Sequence, residues 1–347
     1  LSFIVVFGFV KAIANYYAGS LSNKYGRKRL LLVGWLFAIP VPLLLMWAPS
    51  WNWVILANVF LGINQGLAWS STVIMKIDLV GPQNRGLAMG INEFAGYIAV
   101  AIAAYLSAEI AHTYGLKPYP FYLGLFVTAL GLIITLLFVR DTQQHAALEA
   151  EESLLDRQTN VFTQTSFTDR NLSSVTQAGM VNNLNDGMIW GLLPMYMLAI
   201  GFDLNHIAWA TGVYPAVWGL GQLVTGKWSD HVSRKKLLVA GMLVQALAIA
   251  FLSYSEKLGW IITAAAVLGL GTAMVYPTFL ASIADHTHPL DRAKSIGVFR
   301  LWRDSGYAFG AILSGLIAHQ YGIPTAIQTV AVLTFLSAAV IQLRMES

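Results

Sequence analysis

The residues best suited to chemistry in this sequence lie inside long apolar runs. Four of them recur at i, i+3, i+4 and i+7 within the run 294–319: Arg300, Arg303, Asp304 and Tyr307. This spacing predicts that they share one face of a helix. An ionisable group inside an apolar helix that crosses a membrane is costly, and it usually faces a partner or a water-filled cavity. Such a face can bind ions and, through its carboxyl group, carry a proton.

Other apolar runs also contain polar residues. The further candidates for a polar pathway are Lys11, Asn15, Asn58, Glu93, Tyr97, Asn182, Asn183, Asn185, Asp186 and Tyr276. Only Glu93, Asp186 and Asp304 can carry protons, because an arginine stays protonated. We favour Glu93, because no basic residue lies within one helical turn of it and burial then favours its neutral form. The competing interpretation is that these side chains form static contacts between helices.

The elements that must position these side chains are membrane-spanning helices. Of the 347 residues, 56% are hydrophobic and 11% are charged, whereas soluble domains carry about 25% charged residues. A span needs roughly 20 apolar residues. Eleven runs qualify: 1–20, 30–48, 53–77, 87–112, 120–139, 180–200, 205–226, 237–254, 259–284, 294–319 and 325–343. The sequence therefore predicts an all-α, multi-pass membrane protein that contacts the lipid bilayer.

Composition and motifs exclude several other classes. Cysteine is absent, which excludes disulfides and thiolate metal sites. The net charge of +4 is small and lies on one side of the membrane, so no nucleic-acid partner is expected. The sequence Asp285-His286-Thr287-His288 lies in a loop without a further ligand nearby, and we predict no metal site there. We expect no enzyme activity, no catalytic residues and no cofactor.

The chain contains an internal repeat. A shift of 207 residues superimposes Arg27 on Arg234, Asp78 on Asp285 and Arg85 on Arg292, together with several Gly, Trp and Pro residues. Arg and Asp are costly in a membrane, so their recurrence at a single offset indicates a duplication of the chain. The predicted organisation is a first bundle (1–139), a polar linker (140–179) with a short surface helix over 146–155, and a second bundle (180–347). The span 180–200 has no counterpart in the first copy, so we expect that a preceding first helix is missing.

Basic residues are distributed unequally between the two sets of loops. One set holds most of them, including Arg27, Arg234 and the terminal Arg344, and the other holds little beyond Lys117 and Lys257. Loops rich in Lys and Arg stay in the cytoplasm. The linker and the C-terminus are therefore expected to be cytoplasmic.

Two loops carry a recognisable motif. They read Gly19-Ser-Leu-Ser-Asn23-Lys-Tyr-Gly26-Arg27-Lys28-Arg29 and Gly226-Lys-Trp-Ser-Asp230-His-Val-Ser-Arg234-Lys235-Lys236. Both resemble the loop signature G-x-L-x-D-x-x-G-R-[RK]-[RK] of the major facilitator superfamily, at the offset of the repeat. The resemblance implies two pseudo-symmetric six-helix bundles around a central cavity, with eleven of the twelve helices present here.

The resemblance also implies a gate. Its residues would be Gly19, Asn23, Gly26, Arg27, Lys28, Asp78, Arg85, Gly226, Asp230, Arg234, Asp285 and Arg292. The glycines let helices approach closely, the acid faces the positive end of a helix in the other half, and the arginine pairs with Asp78 or Asp285. These clusters would latch the outward-facing state. Asn23 stands where the family usually has Asp, so the first latch should be the weaker one.

By the same resemblance, the protein is a monomeric secondary transporter in the bacterial inner membrane that works by alternating access. With no ATP-binding motif present, an ion or proton gradient would drive it. Arg300 and Arg303 favour a small anionic or zwitterionic solute. Two alternatives remain: an exporter of cationic or drug-like compounds held by Glu93 and Asp186, or a receptor or scaffold that keeps this fold without transport.

Two family patterns and one linker residue bear on these alternatives. Asn58 replaces an arginine that is common in proton-coupled members, and the run 88–107 lacks the proline that is usual in drug antiporters. Both absences count against a multidrug proton antiporter. Arg157, in the linker, is expected to be a surface residue that can be replaced without loss of transport.

Overall fold

The computed structural model describes residues 2–346, which are almost entirely helical. The helices are α1 (Ser2–Tyr25), α2 (Arg27–Ala38), α3 (Pro40–Met46), α4 (Trp51–Leu79), α5 (Arg85–Tyr114), α6 (Tyr119–Phe138), α7 (Gln143–Glu152), α8 (Val161–Thr163), α9 (Arg170–Ala199), α10 (Leu204–His231), α11 (Arg234–Leu252), α12 (Leu258–Asp285), α13 (Pro289–Tyr321) and α14 (Ile323–Arg344). A 3-10 turn (Pro82–Asn84) precedes α5, and a π-helical turn (Gln164–Thr168) follows α8. The all-α prediction is confirmed.

Each predicted span coincides with a helix, although several boundaries differ. The run 30–48 is divided into α2 and α3 at Ile39, because Pro40 has no N–H group to continue the backbone ladder. Helix α9 begins at Arg170, inside the predicted linker, and the linker helix α7 begins and ends three residues earlier than predicted.

Within residues 2–346, six helical segments are long and apolar enough to cross a membrane by length and composition alone. They are Arg27–Met46, Pro82–Tyr114, Tyr119–Phe138, Arg234–Leu252, Leu258–Asp285 and Ile323–Arg344. Large apolar side chains cover their outer surfaces; on α6, Leu137 and Phe138 are 70% and 76% exposed. Apolar surface of this extent suits contact with lipid rather than water.

The chain forms two compact units. Unit 1 comprises residues 1–79, 95–161 and 287–301. In this unit α4 packs against α1, α2 and α3, and α2 also packs against α6. The linker helix α7 contacts α4.

Unit 2 comprises residues 80–94, 162–286 and 302–347. Here α12 packs against α9, α10 and α11, while α14 packs against α9 and α11. Helices α5 and α13, which are repeat counterparts, each contribute one part to each unit.

The two copies of the repeat share packing contacts. In unit 1, Gly34 of α2 is so close to Ala68 of α4 that an added Cβ would lie 2.9 Å from the Ala68 nitrogen. In unit 2, Gly241 of α11 occupies the same place against Val275 of α12. Gly241 and Val275 lie 207 positions after Gly34 and Ala68, respectively. The duplication seen in the sequence is therefore also a duplication of helix packing.

Candidate functional site

Unit 2 contains a buried ion pair on α13. The Nη1 atom of Arg303 lies 2.7 Å from Oδ1 of Asp304, and both side chains are almost fully buried. The guanidinium carbon of Arg303 lies 4.3 Å from the ring centroid of Tyr276 on α12. A guanidinium over an aromatic face gains a cation–π contact. The charge of Arg303 is thus already engaged by an acid and a ring.

A second acid, Asp186 of α9, lies in the same unit and is 2% exposed. The Tyr214 hydroxyl of α10 donates a hydrogen bond to its Oδ1, and that hydroxyl also lies 3.3 Å from Oγ1 of Thr272. Within residues 2–346, Asp186 has no basic side chain within ion-pair distance. The hydrogen-bond donor to Asp186 is thus a neutral hydroxyl, and Arg303 acts on it only through space.

Glu93 of α5 also belongs to unit 2. It is 2% exposed, and its Oε1 accepts a hydrogen bond of 2.8 Å from Asn92. Arg303 interacts electrostatically with Glu93, as it does with Asp304 and Asp186. No basic residue lies within one helical turn of Glu93 along α5, as the sequence predicted, but Arg303 reaches it from another helix. We call Arg303, Asp304, Asp186 and Glu93 the Arg303 cluster.

The asparagines of α9 differ in their partners. Asn183 donates to Asp304 at 3.3 Å and so borders the Arg303 cluster. Asn185 donates to Gln245 of α11 at 2.9 Å and accepts from Thr334 of α14 at 2.7 Å. Its amide thus joins three helices and is occupied by structural contacts.

Two further pathway candidates of unit 2 have other surroundings. The Asn182 amide is fully buried, and neither of its polar atoms has a hydrogen-bond partner in the described part of the chain. Tyr307 is partly buried, and its carbonyl lies against Gly187 of α9. Leaving a buried amide unpaired is costly, so the polar atoms of Asn182 are suited to binding a ligand or water.

Unit 1 carries the other predicted pathway residues. Asn15 accepts a hydrogen bond from Ser70. Lys11 lies 5.6 Å from the ring centroid of Phe7. Asn58 donates to the Val54 carbonyl of its own helix at 2.9 Å.

The face predicted on α13 does not fall in a single unit. Arg300 belongs to unit 1, whereas Arg303, Asp304 and Tyr307 belong to unit 2. Arg300 is 1% exposed, and among residues 2–346 its Nε and Nη2 atoms find no hydrogen-bond partner. Tyr97, on α5, lies in unit 1 and is partly buried.

The second copy of the motif forms a network in unit 2, which we call the second latch. Asp230 at the end of α10 accepts hydrogen bonds from the backbone N–H groups of Gly86 at 2.7 Å and Leu87 at 2.9 Å. These are the first turn of α5, where a carboxylate is favoured by the helix dipole. Asp285 at the end of α12 pairs with Arg234 at 2.8 Å and with Arg85 at 3.0 Å.

The first copy forms a different network in unit 1, the first latch. Arg27 pairs with Asp78 at 3.1 Å, and both side chains are 1% exposed. Asn23 donates its amide to the Leu290 carbonyl in the first turn of α13 at 2.6 Å. An asparagine amide nitrogen cannot accept a backbone N–H as Asp230 does. The first latch therefore lacks the carboxylate–helix contact of the second.

The glycines of both latches lie where helices cross. An added Cβ at Gly19 of α1 would overlap the Ala293 carbonyl and lie 2.8 Å from Cα of Gly297 on α13. At Gly226 of α10 it would lie 2.7 Å from the Gly86 carbonyl and 3.2 Å from Cα of Gly90 on α5. Such separations leave no room for a side chain.

We therefore expect that alanine at Gly19 or Gly226 lowers the melting temperature of the purified protein by several degrees. Forcing a methyl group into a packed crossing costs about 1–3 kcal/mol. Differential scanning fluorimetry in detergent is the measurement. The matched control is Gly212→Ala on α10, where no atom lies within 4 Å of the added Cβ. An equal fall for Gly212→Ala would contradict this account of the crossings.

The linker contributes contacts that the sequence analysis missed. Thr142 donates to Asp78 at 2.7 Å, and Asp141 accepts from the Lys28 backbone N–H at 2.9 Å. One sequence signal for such a role was the density of acids in the segment assigned to a solvated linker. Gly26 has a φ of +86°, and an added Cβ there would approach the Asp141 carboxylate.

Two basic residues of the repeat and linker have partners that the sequence did not suggest. Arg292 pairs with Glu149 of α7 at 2.7 Å. Arg157 was expected to be a surface residue whose replacement has no effect on transport. It is exposed, but it pairs with Asp291 at 2.7 Å. It is therefore unsuitable as a control for transport measurements.

Comparison with known proteins agrees with this architecture. A sequence model of the Major Facilitator Superfamily matches the chain twice, over residues 2–175 and 175–346. Multidrug resistance protein MdtG of Serratia proteamaculans is 24% identical over 328 residues, which is 93% of this chain and 77% of that protein. The two matches of the family model fall on the two copies of the repeat.

Solved structures share the fold. The human organic anion transporter MFSD10 (TETRAN) aligns with a TM-score of 0.81 and 15% identity, over 98% of this chain and 83% of the other. The E. coli fucose:proton symporter FucP aligns with a TM-score of 0.78 and 14% identity, over 99% and 90%. The chain therefore belongs to the Major Facilitator Superfamily and is a multi-pass membrane transporter rather than an enzyme.

Proposed function

We propose that the protein is a proton-coupled secondary transporter that moves a small anionic or zwitterionic solute by alternating access. The observation that carries the coupling is the Arg303 cluster, in which one guanidinium interacts with three buried carboxyl groups. If all three carboxyls were ionised, the cluster would hold two uncompensated negative charges. An excess of carboxyl groups over cations in a low-dielectric interior is the composition that suits a site binding and releasing a proton.

Within the cluster, Asp186 is the proposed proton carrier. Asp304 is in direct contact with Arg303 at 2.7 Å, which holds its charge. Asp186 has the Tyr214 hydroxyl as its hydrogen-bond partner, and a hydroxyl can donate to a carboxylate or accept from a carboxylic acid. Glu93, which the sequence favoured as the carrier, is here the second candidate, since its Oε1 accepts from the Asn92 amide and Arg303 acts on it as well.

Arg300 supports the choice of solute. Its guanidinium is buried with two nitrogens unpartnered in the described part of the chain. A buried charge without a partner is costly. An anionic group on the solute would supply the partner that the Arg300 guanidinium lacks. Arginine also offers the planar fork that suits carboxylates and phosphates.

The two latches are the proposed gate. Both lie at the ends of spans beside the basic loops, which we assign to the cytoplasm together with the linker and the C-terminus. In this proposal the repeat defines two bundles (1–139 and 180–347) joined by the linker (140–179), and closed latches stabilise the outward-facing state. The transporter would work as a monomer in the bacterial inner membrane.

An exporter of cationic or drug-like compounds is the second candidate. It is supported by the multidrug resistance protein named above, which aligns with nearly the whole chain. It is also supported by a row of aromatic rings beside Asp186: Trp190, Tyr214, Trp218 and Tyr276, with successive centroids 6.1, 5.8 and 5.8 Å apart. Aromatic faces beside an acid suit a lipophilic cation.

A transport panel separates these candidates. The reconstituted protein would be supplied with an imposed pH gradient and with labelled organic anions, labelled amino acids, or the cations ethidium and tetraphenylphosphonium. Gradient-driven movement of an anion or amino acid supports the proposal, and movement of the cations alone supports the exporter. Binding without movement of any probe would favour the receptor or scaffold.

Replacing Asp186 with asparagine tests the coupling. The neutral amide cannot release a proton, so the variant should exchange solute across the membrane at equal pH but lose accumulation driven by a pH gradient. Both rates would be measured in the same liposomes with the probe that the panel identifies. The matched control is Glu152→Gln on the exposed end of α7, which should keep both. Retained gradient-driven accumulation in Asp186→Asn would refute Asp186 as the carrier.

A further inference from the structure

The two latches are closed by different carboxylates. In the second latch, Arg85 at the start of α5 pairs with Asp285 of the same network. Its repeat counterpart Arg292, at the start of α13, instead binds Glu149 of the linker helix α7. Nη1 lies 2.8 Å from Oε2 and Nη2 lies 2.7 Å from Oε1. This bidentate geometry is the strong form of an arginine–carboxylate contact, and Arg292 is 2% exposed.

The neighbouring residue Asp291 receives a second set of contacts from the linker. Nε and Nη2 of Arg157 each lie 2.7 Å from one carboxylate oxygen, and the Gln158 backbone N–H donates to Oδ2 at 3.0 Å. Ser295, one turn further along α13, donates to the Gln158 side chain at 2.8 Å. The repeat counterpart of Asp291 is Asn84, so this acid is specific to the copy that faces the linker.

The other end of the linker is bound to the loop after α1. Gln143 donates its amide to the Asn23 carbonyl at 2.6 Å. Thr142 and Asp141 contact Asp78 and the Lys28 backbone, as described above. All of these residues belong to unit 1. The segment 141–158 thus connects the loop after α1 with the first turns of α13.

We propose that the linker segment 141–158 is a working part of the first latch, with Glu149 and Arg157 as positioning residues. They hold the start of α13 against the end of α1, and so replace the carboxylate–helix contact that Asn23 cannot make. The consequence is that the first latch opens only when the linker releases Arg292 and Asp291. This inference rests on the proposed gating role of the latches and adds the linker to it.

The sequence contains no cysteine, so a pair of introduced cysteines can be cross-linked without background and offers a direct test. Cysteines at Asn23 and Leu290, whose side chain and carbonyl are in contact, would report closure of the first latch. The measurement is the rate of cross-linking by a short bis-methanethiosulfonate reagent in native membranes. Adding Glu149→Gln should slow cross-linking about tenfold, the change that corresponds to roughly 1.4 kcal/mol.

The controls separate positioning from general damage. Glu152→Gln, on the same helix, should leave the rate unchanged, and the exchanged pair Glu149→Arg with Arg292→Glu should restore much of it. A rate in Glu149→Gln equal to that of the Glu152→Gln control would overturn the proposal, as would a failure of the exchanged pair to recover while its melting temperature stays normal. The readout needs no transported solute. A failed transport panel and a failed linker proposal are therefore distinguishable.

Discussion

Replacing Arg303 with glutamine is expected to abolish gradient-driven transport and to destabilise the protein. Three buried carboxyls interact with this guanidinium, and the ion pair with Asp304 is almost fully buried. Removing one partner of a buried pair costs about 3–5 kcal/mol, because the remaining charge is left without compensation. Uptake of the panel's probe into liposomes and thermal unfolding in detergent are the two measurements.

Two companion variants show what the guanidinium does. Arg303→Lys keeps the positive charge but loses the planar group that lies 4.3 Å from the Tyr276 ring centroid, so transport should fall while stability is mostly retained. The double variant Arg303→Gln with Asp304→Asn removes both charges of the pair and should recover part of the lost stability without transport. If Arg303→Gln accumulates solute normally, the cluster is not the coupling site.

The duplication was the most informative feature of the sequence. Residues such as Arg27 and Arg234, or Gly34 and Gly241, match at one offset, and the structure repeats their packing. Helix existence was equally predictable, because a run of about 20 apolar residues has few alternatives to a spanning helix. Helix ends were less predictable: the polar first turns of α9, from Arg170 onward, carry no hydropathy signal.

The composition of the Arg303 cluster was only partly predictable. Periodicity along α13 placed Arg303 and Asp304 on one face, but it could not say which helices would meet them. Tyr214, the partner of Asp186, was missed because an aromatic residue in an apolar span has no distinguishing spacing. The same limit applied to Glu93, whose cation lies more than 200 positions away in the sequence. Tertiary contacts between spans are not encoded in local pattern.

The linker was the largest omission. A segment with many acids and few apolar residues is predicted to be solvated. The linker residues that pair with Arg292 and Asp291 lie more than 130 positions away from them in the sequence. One comparison could have indicated it. The first copy lacks the motif acid, with Asn23 in place of Asp, while its partner helix carries Asp291 where the second copy's partner has Asn84. Departures from symmetry in a duplicated chain mark the places where something outside the repeat contributes.

Replacing Asp285 with asparagine should open the second latch. Asp285 binds Arg234 at 2.8 Å and Arg85 at 3.0 Å, so one change removes a close counter-ion from two largely buried arginines and leaves Arg234 with the longer pair to Asp230 at 3.4 Å. Hydrogen bonds to charged groups contribute about 1.5–3 kcal/mol each. Cysteines at Leu87 and Ser229, on the two sides of this latch, would report its closure by the same cross-linking assay.

The decisive comparison is between the two latches in the Asp285→Asn background. If Asp285 stabilises only the second latch, cross-linking between Leu87→Cys and Ser229→Cys should slow. Cross-linking between Asn23→Cys and Leu290→Cys in the first latch should then stay normal. If the latches gate one alternating-access cycle, both rates should fall, because a closed outward-facing state requires both at once. We expect both to fall by about tenfold, the effect of roughly 1.4 kcal/mol. The neighbouring control His286→Gln should change neither, since its Nδ1 lies 2.8 Å from the Ser282 carbonyl of its own helix α12 and, among residues 2–346, it forms no ion pair with the latch arginines.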